Sequence, residues 1–273
     1  MLCYPVPCNP VSTLDGTMKE VKLGKHKVVL YNSIEELPIV RFHRYNKMLL
    51  LDAGLGSDLG AIDGHIERAV RYITNDKRKE AATEMDNIRQ TIYMIMQGLS
   101  PKHLAFAVLV KEIDGKPCDD VSDEGLQKTL DVLGDVPLKE MTAEHEAVKK
   151  KIDDELTLYF PEDFDSASEK EYYDIMKRRT QAMLDEVLNG ETEERKATIE
   201  QLTDELVCFT KPKVYTGKDS VEIAYDKQFE DMCLVMAQQL HTDPKKYNVM
   251  EYYNAYHYIK EMQRKQKRQN KAR

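Results

Sequence analysis

From residue 33 to residue 101 apolar side chains return every three or four positions, and the main interruptions are glycines, one Asn-Asp pair and two prolines. That interval is the period of an α-helix seen from one side, so the segment predicts three helices in succession. Ser33, with Glu36 three residues on, has the form of a capping box, and Pro38 is tolerated near a helix start. Phe42, Tyr45, Leu49 and Ala53 then mark one face, which Gly54 and Gly56 end. Ser57 opens the second helix, with Ile62, Ile66, Val70 and Ile73 in a row; after Asn75-Asp76 the third carries Met85, Ile88, Ile92, Ile95 and Leu99, closed by Gly98 and Pro101. Short connections and one apolar stripe per helix predict a compact antiparallel unit over residues 34–100, with Phe42, Leu49, Ile66, Val70, Ile88 and Ile92 inside.

Around that unit the signals are shorter. Pro5, Pro7, Pro10 and Gly16 make residues 1–18 an irregular arm, ordered by docking if at all. Val21–Leu23 and Lys27–Leu30 flank Gly24-Lys25 and predict a hairpin, which alone would be marginal and must pair or pack elsewhere. Val214-Tyr215 and Val221–Ala224 bracket Gly217-Lys218-Asp219, a second hairpin candidate able to pair with the first. Ala105–Val110 is a continuous apolar run before the turn dipeptide Asp114-Gly115, readable as a buried strand, a hairpin arm or a short helix. Ser122 or Asp123 caps a short helix through Leu133, broken by Gly134 and Pro137.

Residues 139–206 hold 20 Asp or Glu against 10 Lys or Arg. Thin apolar stripes, such as Ile175, Met183 and Val187, suit a projecting acidic helical arm. Helices follow through Phe229–Leu240 and, after Pro244, from about Val249 onward. The fold class predicted is mainly α with a small β component of one or two hairpins. It divides into an arm (1–18), a hairpin plus helical N-terminal lobe (19–137), an acidic helical arm (138–210), and a hairpin with C-terminal helices and a basic tail (211–273).

The net charge of −8 over 273 residues argues against general affinity for nucleic acid or anionic membrane, since phosphate binding needs basic surface. No stretch reaches the roughly 20 apolar residues that span a bilayer, and the first ten residues lack the basic and apolar regions of a secretory signal. Five scattered cysteines, Cys3, Cys8, Cys118, Cys208 and Cys233, read as reduced thiols and suit a cytoplasm.

Gly54, Gly56 and Gly60 miss the dinucleotide fingerprint by one residue and follow a helix instead of a strand, so helix termination explains them. Cys3 and Cys8 have no second pair at zinc spacing. His241, Asp243, Glu251 and His257 are near in sequence, but Asp243-Pro244 is an ordinary helix start and the two histidines fall on different elements. Asp119, Asp120 and Asp123 fit a turn and a helix cap. Neither a nucleophile elbow nor a paired-histidine zinc helix occurs. The expectation is therefore a protein without catalytic, cofactor or metal residues and without a small-molecule substrate.

The strongest local signal is at the C-terminus. Residues 260–273 hold seven Lys or Arg against one Glu, directly after Tyr247, Tyr252, Tyr253, Tyr256 and Tyr258. Such charges oppose the macrodipole of a final helix whatever else they do. Two functional readings stand beside that one: a phosphate-binding tail for nucleic acid, and a tail that docks on an acidic protein surface, including the acidic arm of another copy. The residues that would carry the contact are Tyr252, Tyr253, Tyr256, Arg264, Lys265, Lys267, Arg268, Lys271 and Arg273.

The segments Ile34–Tyr45 through Ala53–Asp58, and Leu240–Pro244 through Val249–Asn254, resemble pieces of structural and assembly proteins of tailed bacteriophages of gut bacteria. The last helix is similar to the C-terminal part of phage tail assembly chaperones, in which an Asp-Pro turn precedes an aromatic-rich helix. The resemblance covers about a third of the chain and carries no catalytic residue. It implies a virion component or a tail-assembly protein in the bacterial host cytoplasm, with other phage structural proteins and copies of itself as partners; the alternative is a nucleic-acid-associated accessory protein using the basic tail.

Overall fold

The computed structural model describes residues 18–164, 167–209 and 211–271. Strands β1 (Lys19–Leu23) and β2 (His26–Leu30) form the expected hairpin about Gly24, whose φ of 56° is of little cost to a residue without Cβ. β2 pairs with β3 (Val110–Ile113), which turns through Asp114 and Gly115 onto β4 (Lys116–Pro117). Both turn residues have positive φ, the requirement of a two-residue hairpin turn of mirror-image type. The sheet is antiparallel, in the order β1-β2-β3-β4.

The first hairpin's partner is thus the 110–117 segment and not residues 214–224, where no hairpin forms. Ser220 accepts a hydrogen bond from the Glu222 N–H and caps a helix that begins at Val221. The β-branched Val221 and Ile223 sit in its first turn, because a cap and tertiary packing outweigh strand propensity.

The apolar run resolves as a helix over most of its length. α1 (Ile39–Leu55) packs against α4 (Pro101–Leu109), which starts with Ser100 as cap and Pro101 in its first turn, and every residue from Leu104 to Val110 is buried. A helix apolar on all sides belongs at the centre of a core. α5 (Asp123–Val132), capped by Ser122 as expected, covers α4 on one side. α1 itself begins six residues later than Ser33: Pro38 restricts Leu37 to extended backbone, and the Ser33 hydroxyl donates to Glu155 Oε2 at 3.0 Å.

α6 (Leu138–Tyr159) differs from the arm of which the sequence made it a part. Met141, His145, Val148, Ile152 and Leu156 lie four or three apart and are all buried in the core. After α7 (Pro161–Phe164), the projecting element is the hairpin of α8 (Ala167–Asn189) and α9 (Glu193–Phe209). α10 (Val221–Leu240) and α11 (Val249–Lys271) close the chain, joined by a 3-10 turn at Pro244–Lys246. The start of α11 returns to the start of α1: the Ile39 N–H donates to the Tyr247 carbonyl at 2.9 Å and the Val249 N–H to that of Leu37 at 3.0 Å.

α2 (Leu59–Thr74) and α3 (Arg78–Met96) form an antiparallel pair beside α1, as predicted, but the burial assigned to them is inverted. Phe42 is buried, while Leu49 and Ile88 are only half-buried and Ile66, Val70 and Ile92 are exposed. The inward residues of α2 are His65, Ala69 and Tyr72, and those of α3 are Ala81, Glu84, Asn87, Thr91 and Met94. Among the described residues no helix is long and apolar enough to cross a membrane. The predicted arm lies outside the described residues up to position 17.

Candidate functional site

The inversion has a local cause. α1 ends at Leu55, whose carbonyl has no intrahelical partner, and the inner face of α2–α3 supplies one. Thr91 Oγ1 donates to the Leu55 carbonyl at 2.8 Å and His65 Nε2 lies 3.3 Å from it. On its other side His65 Nδ1 is 2.5 Å from Glu84 Oε2, and Arg68 Nε donates to Glu84 Oε1 at 2.9 Å. Burial pushes the Glu84 carboxyl up, but the hydrogen bonds from His65 and Arg68 outweigh it and hold it below the usual range. The Asn87 amide donates to the Lys213 carbonyl at 3.2 Å, and the Tyr72 hydroxyl to that of Val207 at 2.8 Å. Polar side chains are needed inside because backbone carbonyls lie there unsatisfied, so the apolar stripe turns outward.

On that outer face Ile66 is 46%, Val70 56% and Ile73 63% exposed. Leu59 extends the α2 row, while Met85, Ile92 and Met96 form the α3 row beside it. A contiguous apolar surface shared by two helices is the mark of a contact site, whereas scattered exposed apolar residues are ordinary. At 100° per residue Asp63 and Glu67 fall along the outer edge of α2, and Arg78 and Lys79 stand where the pair closes.

The aromatic and basic residues of α11 are separated. Tyr252 is buried and Tyr253 and Tyr256 are half-buried, all turned toward α1 and α10. There they line a cavity of about 270 Å³ with Phe42, His43 and Phe229. The His43 ring stacks on Tyr225 and Phe229 at centroid distances of 4.5 and 4.1 Å, and its Nε2 is 3.0 Å from Asp226 Oδ1. Burial lowers the proton affinity of His43 in spite of that carboxylate. Asp163 closes the rim, with Lys260 Nζ at 3.2 Å and His257 Nε2 at 2.6 Å, the latter a close contact without hydrogen-bond alignment.

Arg264, Lys265 and Arg268 lie exposed further along the same helix, with Lys265 Nζ 3.9 Å from Glu261. The side chains of Lys267 and Lys271, and all of Arg273, lie outside the described residues. Tyr252, Tyr253 and Tyr256 therefore pack inward, while Arg264, Lys265 and Arg268 point to solvent.

The other candidates have structural roles. His241 ends α10 with a φ of 55°, Asp243 caps the 3-10 turn, and Glu251 exchanges cap hydrogen bonds with Asn248. Asp120 accepts from the Ser122 N–H, Asp123 pairs with Arg44, and Asp119 lies 3.9 Å from Arg41. Among the described residues no group of three His, Cys, Asp or Glu could hold a metal ion. Gly56 ends α1 with a φ of 73°. Gly54 admits the Tyr215 hydroxyl, which would fall 1.6 Å from an added Cβ. Burial raises the Cys118 thiol and pushes that of Cys233 up to about 11, so neither is a ready thiolate. Cys3 and Cys8 lie outside the described residues.

Sequence reasoning missed the His65–Arg68–Glu84 cluster. Its signal was present: a His and an Arg three apart on α2, and an acid on α3 at a position that also lies off the apolar stripe. The fold is thus that of a mainly helical protein with one small antiparallel sheet, and its most distinctive surface is an outward apolar helix pair. Comparison of the chain with known protein families, with curated proteins and with solved structures finds no match.

Proposed function

We propose that this protein is a non-enzymatic structural or assembly component, of the kind tailed bacteriophages encode, and that it acts through protein–protein contacts. The observation that carries the reading is the outward apolar row of α2–α3, held in place by a buried polar network on the opposite side. Exposed isoleucines and valines in register on two helices gain free energy when a partner covers them, at about 25 cal/mol per Å² of apolar area removed from water.

The test is a photo-crosslinking amino acid at Val70, with exposed Lys150 on α6 as control, in infected host cells producing the chain. Adducts of defined mass with virion or assembly proteins at position 70, and background alone at 150, are expected. Equal yields at both positions, or adducts with nucleic acid alone, would overturn the reading.

A further inference from the structure

The α2–α3 face is not the only apolar surface left bare. Near the far end of the α8–α9 hairpin, Met183, Leu184, Val187 and Leu188 share one side of α8; Val187 is 80% and Leu188 77% exposed. The hairpin is held to the body nearer its other end, where Arg71 Nη1 donates to Asp204 Oδ1 at 2.7 Å and Tyr72 to the Val207 carbonyl. At 1.5 Å per residue, the turn at Gly190 stands roughly 20 Å beyond Asp204. The tip therefore carries its apolar side away from the core of its own chain.

The charges at the two surfaces are opposite. Residues 183–196 hold five carboxylates, Asp185, Glu186, Glu191, Glu193 and Glu194, against Arg195 and Lys196, the latter paired with Glu191. Residues 76–80, at the closed end of α2–α3, hold Lys77, Arg78 and Lys79 against Asp76 and Glu80, while Arg71 is held by Asp204 of its own chain. Arg78 reaches only the exposed Asp76, at 3.1 Å, a pairing worth little in water and readily exchanged.

We infer, resting on the docking reading above, that these surfaces are the two halves of one contact between copies of this chain. The acidic apolar tip of one copy seats on the α2–α3 face of the next, with its carboxylates toward the basic closed end. Face-to-face pairing of two α2–α3 surfaces would leave the tip bare. Tip on face covers both apolar surfaces and sets unlike charges together. Because the halves differ, the contact is heterologous: each copy retains a free tip and a free face, and assembly continues into a ring or filament.

Sedimentation velocity on the full chain tests this with two double variants at exposed positions, Val187→Asp with Leu188→Asp (tip) and Ile66→Asp with Val70→Asp (face), both checked for unchanged thermal midpoints. The wild type is expected to form species larger than dimers that grow with concentration and shrink with salt. Each variant alone should be monomeric. Mixed in equal amounts, they should give a heterodimer that stops at two, since one supplies an intact face and the other an intact tip. A tip variant that associates like the wild type, a mixture that stays monomeric, or association lost on removal of residues 263–273 but kept in the face variant would each overturn the assignment. A monomeric wild type would overturn it too, and if Val70 still crosslinks to other virion proteins, the docking reading stands without this contact.

Discussion

His65 and Glu84 meet at 2.5 Å on the inner side of the α2–α3 pair with both side chains buried, one held by the carbonyl that ends α1 and the other by Arg68. Glu84→Gln removes the buried carboxylate on which both His65 and Arg68 converge and leaves their hydrogen bonds unmet, so it should destabilise the protein by about 3 kcal/mol in urea unfolding. A loss below about 1 kcal/mol would mean that the network does not fix the orientation of the pair. Because the Glu84 carboxyl is held below its unfolded value of 4.5, its contribution is complete above that pH and is lost as acid titrates the folded state.

Opposite faces of α2 should respond in opposite ways. Ile66→Asp places a charge where the side chain already meets water, and its effect on stability should stay within about 0.5 kcal/mol. Tyr72→Ala empties a buried site and removes the hydrogen bond to Val207, and should cost about 3 to 5 kcal/mol. Thermal unfolding of the two variants side by side reads the contrast; equal losses would contradict the inverted packing.

His145 gives the core a specific acid response. It is buried between Tyr45 and Phe106, with Nε2 3.2 Å from the Tyr45 hydroxyl, and burial pushes its pKa down from 6.5 to about 4. The unfolded chain therefore binds a proton that the folded one refuses between these values. Stability is complete above pH 6.5 and falls by about 3 kcal/mol as pH drops toward 4. His145→Gln should flatten that part of a stability–pH profile, leaving the smaller slopes of His43 and His103, which burial also lowers. An unchanged slope in the variant would place the response elsewhere.

The basic end of α11 should be dispensable for folding. Ile259 is its last buried residue among those described, and Arg264, Lys265 and Arg268 are exposed, so removing residues 263–273 should leave the thermal midpoint within a few degrees. The same truncation separates the two readings of the tail. If its cations contact phosphates, the logarithm of the gel-shift affinity for DNA or RNA falls linearly with log salt in the intact chain, and binding vanishes on truncation. If they do not, retention is the same for both forms, which is the expected result.

Periodicity in the sequence located α1, α2 and α3, the expected helices over Phe229–Leu240 and from Val249 match the later part of α10 and α11, and the Gly24 and Asp114-Gly115 dipeptides marked the two turns of the sheet. Periodicity could not say which side of α2 faces inward. Ile66 and Val70 define a face as well as any core helix would, and what turned them outward is a carbonyl at Leu55, the consequence of where another helix stops. For the same reason the Ala105–Val110 run did not declare itself: continuous apolarity marks burial, but Ser100 and Pro101 ahead of it made the helix. The tyrosines of α11 were visible as a cluster, yet their direction depends on His43, Tyr225 and Phe229, which lie far away along the chain.

The junction of Ile39 with Tyr247 and of Leu37 with Val249 joins backbone groups more than 200 residues apart. The first helix of the N-terminal lobe therefore waits for more than 200 further residues before its leading turn is tied down. At roughly 5 to 20 residues per second of synthesis, that wait is on the order of 10 to 40 seconds. Throughout it, the groove that α11 will fill beside Phe42 stands open on the nascent chain. Closure of this fold is accordingly a long-range event, and the segment around Tyr247 and Val249 acts as the latch on structure laid down more than 200 residues earlier.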